Sequence, residues 1–295
     1  MSLKSELDPY FTADELSTER TDVKFVSNGE IDFPVMYCQN RENRPYKNYS
    51  ALSREDCPLC TQAVNGKTSP DIIQGWDWLP ATWPIKTRHG ICYPHGHRSG
   101  ITAADIRNLG SFADKAGDVM SGINMFGSAA SIPAHFHAQV HDYELPLSDK
   151  PAFPLLSRQA EPIYELPDIS LSRIAGYPAF VLLVKSTWDL LGKWLIAYLA
   201  SANTRPHSFA LVPGGKLYVI PRSREIAPGQ ENKFGASEML GLITPITFKA
   251  YQAINDGNVI SDALRACGME DRKDIMATEE HAAWTMNYIM GVYER

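Results

Sequence analysis

HFHAQVH, at residues 135–141, places a ring nitrogen or a carboxamide at every second position: His135, His137, Gln139 and His141. Alternate side chains of a β-strand point to the same face, so a strand here would present all four polar groups together. Four polar groups on one face would make a poor hydrophobic core. The stretch therefore predicts a strand that carries a site for phosphate chemistry.

A Cys-x-x-Cys pair lies upstream at Cys57 and Cys60. Such a pair indicates metal binding, redox chemistry or coincidence. A redox pair should open a helix after a strand, whereas this pair lies between two polar loops, so a zinc knuckle fits better. Zinc takes four nitrogen or sulfur ligands, and two more must come from elsewhere. His95 and His97 are candidates for the third ligand, and surface histidines are the alternative reading.

Composition excludes several classes of function. The chain has 295 residues, 44% of them hydrophobic, which suits one large domain or two of ordinary size. A net charge of -6 predicts no nucleic-acid surface, so an anionic substrate must meet a local group of Lys and Arg. No apolar run has the length of a membrane span, and no signal peptide is expected. Five scattered cysteines do not suggest a disulfide framework and indicate a cytoplasmic protein.

The chain is predicted to have two parts, 1–150 and 151–295, joined by a proline-rich connection at 144–170. The second part repeats the strands-plus-helix plan of the first loosely, without a sequence repeat. Its predicted elements are a helix at 187–202, a hairpin at 209–221, a strand at 238–243 and closing helices near 245–256 and 277–293.

Four features in order resemble the galactose-1-phosphate uridylyltransferase branch of the histidine-triad superfamily. They are an Arg-x-x-Arg-Pro-Tyr loop at 41–46, the cysteine pair, the strand end at 92–97, and Asn124 followed by a small-residue loop and His-x-His-x-Gln at 135–139. The match covers about residues 35–141 and is specific as an ordered set. The segments 219–223 and 234–237 resemble the related diadenosine tetraphosphate phosphorylases more loosely.

The chain also departs from this pattern. Ala134 stands between Pro133 and His135, where the family has no extra residue. His141 has no counterpart, and we interpret it as a histidine at the rim of the site. The second half is short, and no hexose-contacting residues can be located in it.

The resemblance implies a role for each motif residue. His137 is the implied nucleophile. Gln139 is the implied partner of the phosphoryl oxygens, and an amide that cannot titrate favours transfer or phosphorolysis over hydrolysis. The implied ligands of a closed structural zinc site are Cys57, Cys60, His97 and His135. The implied phosphate-binding residues are Arg41, Arg44, Asn124 and Ser131.

The implied fold is α+β, with antiparallel sheets and flanking helices in two histidine-triad-like halves of one chain. Members of the superfamily pair two such units in one chain or in a dimer, so a homodimer stays open. The implied enzyme is a nucleotidyltransferase or phosphorylase. It would act on a nucleotide sugar or dinucleoside polyphosphate through a covalent nucleotidyl-histidine and a phosphate-containing acceptor. Two alternatives remain, a nucleotide hydrolase of the same superfamily and a non-catalytic zinc-containing nucleotide-binding protein.

Overall fold

The structure is a computed structural model that describes residues 21–43, 53–64, 69–70, 72–81, 89–117, 119–125, 127–142, 150–201, 205–230 and 233–291. Arg44, a predicted phosphate ligand, lies outside these ranges. The strands are β1 (Thr21–Ser27), β2 (Asp32–Cys38), β3 (Ser69–Pro70), β4 (Trp76–Pro80), β5 (His89–Pro94), β6 (Val119–Asn124), β7 (Ala138–Asp142), β8 (Ala160–Leu166), β9 (Ile169–Ile174), β10 (Leu182–Lys185), β11 (His207–Val212) and β12 (Lys216–Pro221). The α-helices are α1 (Pro58–Val64), α2 (Ala103–Ala116), α3 (Trp188–Ser201), α4 (Ala236–Met239), α5 (Phe248–Ala253), α6 (Gly257–Cys267) and α7 (Arg272–Ile289).

One ten-stranded sheet organises the described residues, in the order β3-β4-β5-β7-β6-β11-β12-β10-β9-β8. Taken from its two edges inward, the strands run β3-β4-β5-β7-β6 and β8-β9-β10-β12-β11, which is the same arrangement twice. The two sets meet where β6 pairs antiparallel with β11. The predicted α+β fold with an antiparallel sheet is confirmed. The repeated order is what two similar halves would produce, and the division at residue 150 stays a prediction.

Both faces of the sheet are covered. The helices α2, α3 and α7 pack on one face, where Leu109, Trp194 and Met286 join a common apolar core. The β1–β2 hairpin and α6 pack on the other, with Phe33 and Leu264 in its core. Side chains of the central strands alternate between these layers, as a pleated strand requires.

Two glycines let the helices of the two strand sets approach closely. A Cβ on Gly110 of α2 would lie 2.0 Å from the Trp188 ring, and one on Gly192 of α3 would lie 2.6 Å from the Ala103 carbonyl oxygen. The Asp114 carboxylate accepts hydrogen bonds from Trp188 Nε1 at 2.6 Å and from the Gly214 N–H at 2.7 Å. The helix pair therefore links the two strand sets on this face.

The predicted strand at 135–141 is wrong in its start, because β7 begins only at Ala138. The His135 N–H bonds the Ile132 carbonyl at 3.1 Å, and the Phe136 N–H bonds the Arg98 carbonyl at 2.6 Å. Because these two N–H groups bond within a turn and to a loop, they do not pair with a neighbouring strand. His135 and His137 thus precede the strand, so the alternation of side chains along a strand does not determine which way they point.

Two other segments differ from their predictions. The segment 238–243 is not a strand: the Glu238 carboxylate accepts the Gly235 N–H at 2.9 Å and starts the short helix α4. The proline-rich connection contains a complete edge strand, β8. Pro162 lies there at a register irregularity, which fits a residue that cannot donate to a ladder.

We expect Gly192→Ala to lower the free energy of unfolding by about 1–3 kcal/mol. Alanine favours a helix by about 1 kcal/mol over glycine, but here its Cβ would collide with the backbone of α2. Urea denaturation checks this. Gly100→Ala is the control, because a Cβ there meets nothing within 4 Å, and it should change stability by less than about 0.5 kcal/mol. Equal stability of Gly192→Ala and the native chain would contradict the close approach of the helices.

Candidate active site and metal centre

Three connections converge beside the start of β7. Tyr93 at the end of β5 donates its hydroxyl to the Leu59 carbonyl at 3.1 Å, which holds α1 against the sheet. Arg98 forms an ion pair at 2.5 Å with Asp105, the buried acid of the capping box of α2. Since the Phe136 N–H bonds the Arg98 carbonyl, the loop after β5 and the turn before β7 are fixed to one another.

This convergence brings together all four predicted metal ligands. The donor atoms of Cys57, Cys60, His97 and His135 all lie within 4.8 Å of one another. His135 Nδ1 is 3.3 Å from Cys57 Sγ and 3.5 Å from Cys60 Sγ, and His97 Nδ1 is 3.4 Å from Cys60 Sγ. A tetrahedral zinc site, with its usual bond lengths, has sulfur–nitrogen edges of about 3.5 Å. The group can therefore hold a metal ion.

The ionisation of these residues suits a cation. Burial, followed by the neighbouring His97, lowers the pKa of His135 to about 4, so its ring is neutral near pH 7. Burial and then repulsion from Cys57 raise the pKa of Cys60 to about 11. The Cys60 thiol would thus keep its proton unless a cation displaced it, which is the usual coupling of metal binding to proton release.

His95, the other candidate from the sequence, is not in the group. It is exposed, and its Nε2 lies 3.5 Å from the Asp77 carboxylate. The cysteine pair does open a helix, α1, but the residues before it form a turn and not a strand. This differs from the strand-to-helix setting expected of a redox pair.

The His137 ring is fixed through both nitrogens. Its Nδ1 lies 2.9 Å from the His135 carbonyl oxygen, and its Nε2 lies 3.1 Å from Ser131 Oγ. A carbonyl oxygen can only accept, so Nδ1 carries the proton. In the neutral form of the ring, Nε2 then has no proton and can accept the hydrogen bond of the Ser131 hydroxyl. The residue is buried, with 6% of its surface exposed.

Gln139 and Asn124 lie on neighbouring strands. Gln139 is half-buried on β7, opposite Gly122 of β6. Asn124 lies two residues further along β6, toward the end of the strand pair at which His137 lies. Its Oδ1 accepts a hydrogen bond from Ser208 of β11 at 2.9 Å.

Arg41 is buried in a short 3-10 helix at Gln39–Asn43 that follows β2. The adjacent Glu42 accepts the Phe248 N–H at 2.7 Å, which ties this helix to the start of α5. Phosphate binding by Arg41 stays a prediction.

His141 is not at an exposed rim. It is fully buried, its ring centroid lies 4.2 Å from that of His89, and its Nε2 lies 3.3 Å from Ser237 Oγ.

Sequence reasoning missed residues of the second half that support this site. Arg222 is 1% exposed and donates to Ser208 Oγ, and Ser208 contacts Asn124. Glu225 accepts the Ala129 N–H at 3.0 Å and pairs with Lys233 at 2.6 Å. Ala129 has a φ of +71°, unusual for a residue with a side chain, and belongs to the loop that carries Ser131. Two sequence features could have indicated these residues: Ser208 is a polar residue within an apolar strand, and Arg222 directly follows another apolar strand.

The comparisons with known proteins bear on the fold. No family model matches the chain, and no curated protein matches its sequence. Crystal structures of yeast Ap4A phosphorylase Apa2, alone and with Ap4A, have a TM-score of 0.59, 14% identity, and cover 90% of this chain and 94% of Apa2. The Apa2 complex with AMP has the same score and identity, with 91% and 97% covered. The resemblance to this branch is confirmed at the level of the fold. No described helix is long and apolar enough to cross a bilayer.

We expect Glu225→Gln to destabilise the chain at neutral pH by no more than about 1 kcal/mol, because the carboxylate is partly solvated. Burial alone would raise the pKa of Glu225, but the hydrogen bonds from Lys233 and Ala129 outweigh it and hold the pKa below its ordinary value. A lowered folded-state pKa stabilises above the unfolded-state pKa, and the benefit is lost as the pH falls through the folded value.

The difference in melting temperature between the native chain and Glu225→Gln should therefore stay constant above about pH 5 and shrink progressively as the pH falls below the ordinary pKa of a glutamate. The exposed Glu270 provides the control variant, Glu270→Gln, which should follow the native chain throughout. A difference for Glu225→Gln that grew as the pH fell would contradict the assignment.

Proposed function

We propose that this chain is a nucleotidyltransferase whose nucleophile is His137. The observation that carries the proposal is the orientation of its ring: Nδ1 lies against the His135 carbonyl, and Nε2 lies beside Ser131, so the neutral ring has its lone pair on Nε2. A histidine attacks phosphorus only as a neutral imidazole that presents a lone pair. The hydrogen bond at Nδ1 leaves that lone pair on Nε2.

The reaction has two displacements. Nε2 attacks the α-phosphorus of the donor, the bond to the bridging oxygen of the β-phosphate breaks, and the remainder of the donor leaves with the electron pair. The positive charge on the ring is stabilised at Nδ1–H by the His135 carbonyl. An oxygen of the acceptor phosphate then attacks the same phosphorus, the phosphorus–nitrogen bond breaks, and neutral His137 is restored.

The side chains that the family resemblance implies would bind the phosphoryl oxygens. Gln139, Asn124 and Ser131 offer hydrogen bonds, and Arg41 and Arg44 offer charge. A phosphate leaving group is a weak base and needs little help from an acid. Gln139, which cannot move a proton, therefore suits transfer to a phosphate better than hydrolysis of a more basic leaving group.

The preferred donor is a dinucleoside polyphosphate, with inorganic phosphate as acceptor. The fold shared with an Ap4A phosphorylase favours this donor, as does the lack of recognisable hexose-contacting residues in the second half. Attack at the α-phosphorus of a dinucleoside tetraphosphate releases a nucleoside triphosphate, and phosphate then releases a nucleoside diphosphate. A nucleotide sugar is the second donor class. A cytoplasmic location and a homodimer stay predictions.

We also propose that the four-residue group holds zinc. The set of two thiols and two imidazoles is typical of closed structural zinc sites, which leave no position for substrate. When bound, the ion would supply structural support only, joining α1, the loop after β5 and the turn at His135.

Incubation with Ap4A should add the mass of one adenylyl group to the native chain, measured by intact-protein mass spectrometry. His137→Ala should abolish the adduct and lower turnover at least about 10³-fold. His95→Ala, which removes an exposed histidine outside the site, should leave both unchanged. Release of nucleoside monophosphate without a phosphate acceptor would establish hydrolysis instead. If the chain formed no adduct and showed no turnover with Ap4A, UDP-glucose, ADP-glucose or GDP-glucose, the proposal would be contradicted. A nucleotide-binding role would then remain.

Metal analysis of the purified native chain should find about one zinc ion per chain. Joint replacement of Cys57→Ser and Cys60→Ser should reduce this more than about tenfold and lower the melting temperature, because bound zinc stabilises the folded state. Cys92→Ala, at a buried cysteine outside the group, should retain zinc. A zinc content unaffected by the joint replacement would reject the site.

A further inference from the structure

Asn124, one of the predicted phosphate ligands, is hydrogen-bonded to Ser208 of the second half of the chain. Its residue lies opposite Ser208, where β6 pairs with β11. Ser208 Oγ lies 2.9 Å from Asn124 Oδ1, and Arg222 Nη1 lies 3.0 Å from Ser208 Oγ. The three side chains form a continuous chain of hydrogen bonds from the residue after β12 to the end of β6.

The direction of these hydrogen bonds follows from the groups involved. A guanidinium can only donate, so the Ser208 oxygen accepts from Arg222. The single hydroxyl proton of Ser208 then donates to Asn124, whose acceptor is the carboxamide oxygen. Asn124 Oδ1 therefore faces Ser208, and the two N–H groups on Nδ2 are what remains to bind a ligand.

The Arg222 side chain is held in place by further hydrogen bonds to backbone carbonyl groups. Its Nε donates to the Cys267 carbonyl at 3.1 Å, and its Nη2 donates to the Arg224 carbonyl at 2.9 Å. The side chain is among the largest that are fully buried in the described residues. A permanently charged donor also makes a stronger hydrogen bond to Ser208 than a neutral one would.

Gly235 leaves room on the opposite side of the carboxamide. A Cβ at this position would lie 3.1 Å from Asn124 Nδ2 and 3.2 Å from Glu238 Oε2. Its φ of -83° is open to any residue, so backbone conformation does not require glycine here. Because glycine has no side chain, the space beside Asn124 Nδ2 is not filled from this direction.

We infer that Arg222 and Ser208 are positioning residues that fix the Asn124 carboxamide so that it offers only N–H donors to the substrate. This inference rests on the proposed function, in which the ligand at this place is a phosphoryl oxygen. An ionised phosphoryl oxygen accepts hydrogen bonds and donates none. A carboxamide free to turn over would present its oxygen part of the time and repel the phosphate.

The test is a double-variant cycle on the rate of adenylyl-adduct formation from Ap4A in a single turnover. We expect Ser208→Ala and Asn124→Ala each to slow it about 10–100-fold. If Ser208 acts through Asn124, the double variant should be no slower than Asn124→Ala alone. Ser208→Thr, which keeps the hydroxyl, should stay within about threefold of the native rate.

Two further variants sharpen the cycle. Ser121→Ala removes a buried hydroxyl from β6 that has no partner among the described residues, and it should leave the rate unchanged. Gly235→Ala should slow the reaction by pressing on the carboxamide from the other side. Effects of Ser208→Ala and Asn124→Ala that multiply in the double variant would overturn the inference.

A measurement without substrate separates this inference from the proposed function. In protein labelled with ¹⁵N-asparagine, the Asn124 side-chain amide is the signal that Asn124→Ala removes. Ser208→Ala should shift this signal, and Ser121→Ala should leave it in place. An unmoved signal in Ser208→Ala would overturn the positioning role. If the native chain forms no adduct, the proposed function fails, while the amide signal still decides whether Asn124 is fixed by Ser208.

Discussion

The hydrogen bond from His137 Nδ1 to the carbonyl of His135 is the interaction on which the rest of the site depends. His135 has two tasks: its ring belongs to the group that could hold a metal ion, and its backbone oxygen would set the tautomer of the proposed nucleophile, His137. Whatever holds the ring of His135 also holds its carbonyl, because the two are part of one residue. A metal ion at this place would thus act on catalysis by fixing position, as outer-shell groups commonly do.

The two sets of strands share an order but not a site. Between β6 and β7 runs a long connection that carries Ser131, His135 and His137, whereas a tight turn joins β11 to β12. That turn leaves no room for a second nucleophile. The second set instead supports the first across the β6–β11 pair, through the hydrogen-bonded residues Ser208 and Arg222 and through the Glu225 contact with the loop. One set therefore carries the proposed chemistry, and the other positions it.

Sequence reasoning reached the residues whose chemistry is visible in their spacing. The spacing of Cys57 and Cys60 indicated a metal site, and the resemblance supplied His97 and His135, which the structure brings together with them. The α+β class followed from the same resemblance. The start of β7 could not be predicted, since a local turn competes with the strand for the same backbone groups. The apolar pattern after Gly235 fits either a strand or a helix. The Glu238 carboxylate, which accepts the Gly235 N–H, favours the helix. Ser208 and Arg222 acquire a role only when strands more than 80 residues apart pair, as Ser208 and Asn124 do.

The position of the covalent bond tests the central claim most directly. After the native chain, labelled with ¹⁵N-histidine, reacts with Ap4A, phosphorus–nitrogen coupling in the trapped adduct identifies the bonded ring nitrogen. We expect the bond at Nε2 of His137, because the His135 carbonyl occupies Nδ1. A bond at Nδ1, or an adenylyl group on Ser131, would contradict the proposed orientation of the ring.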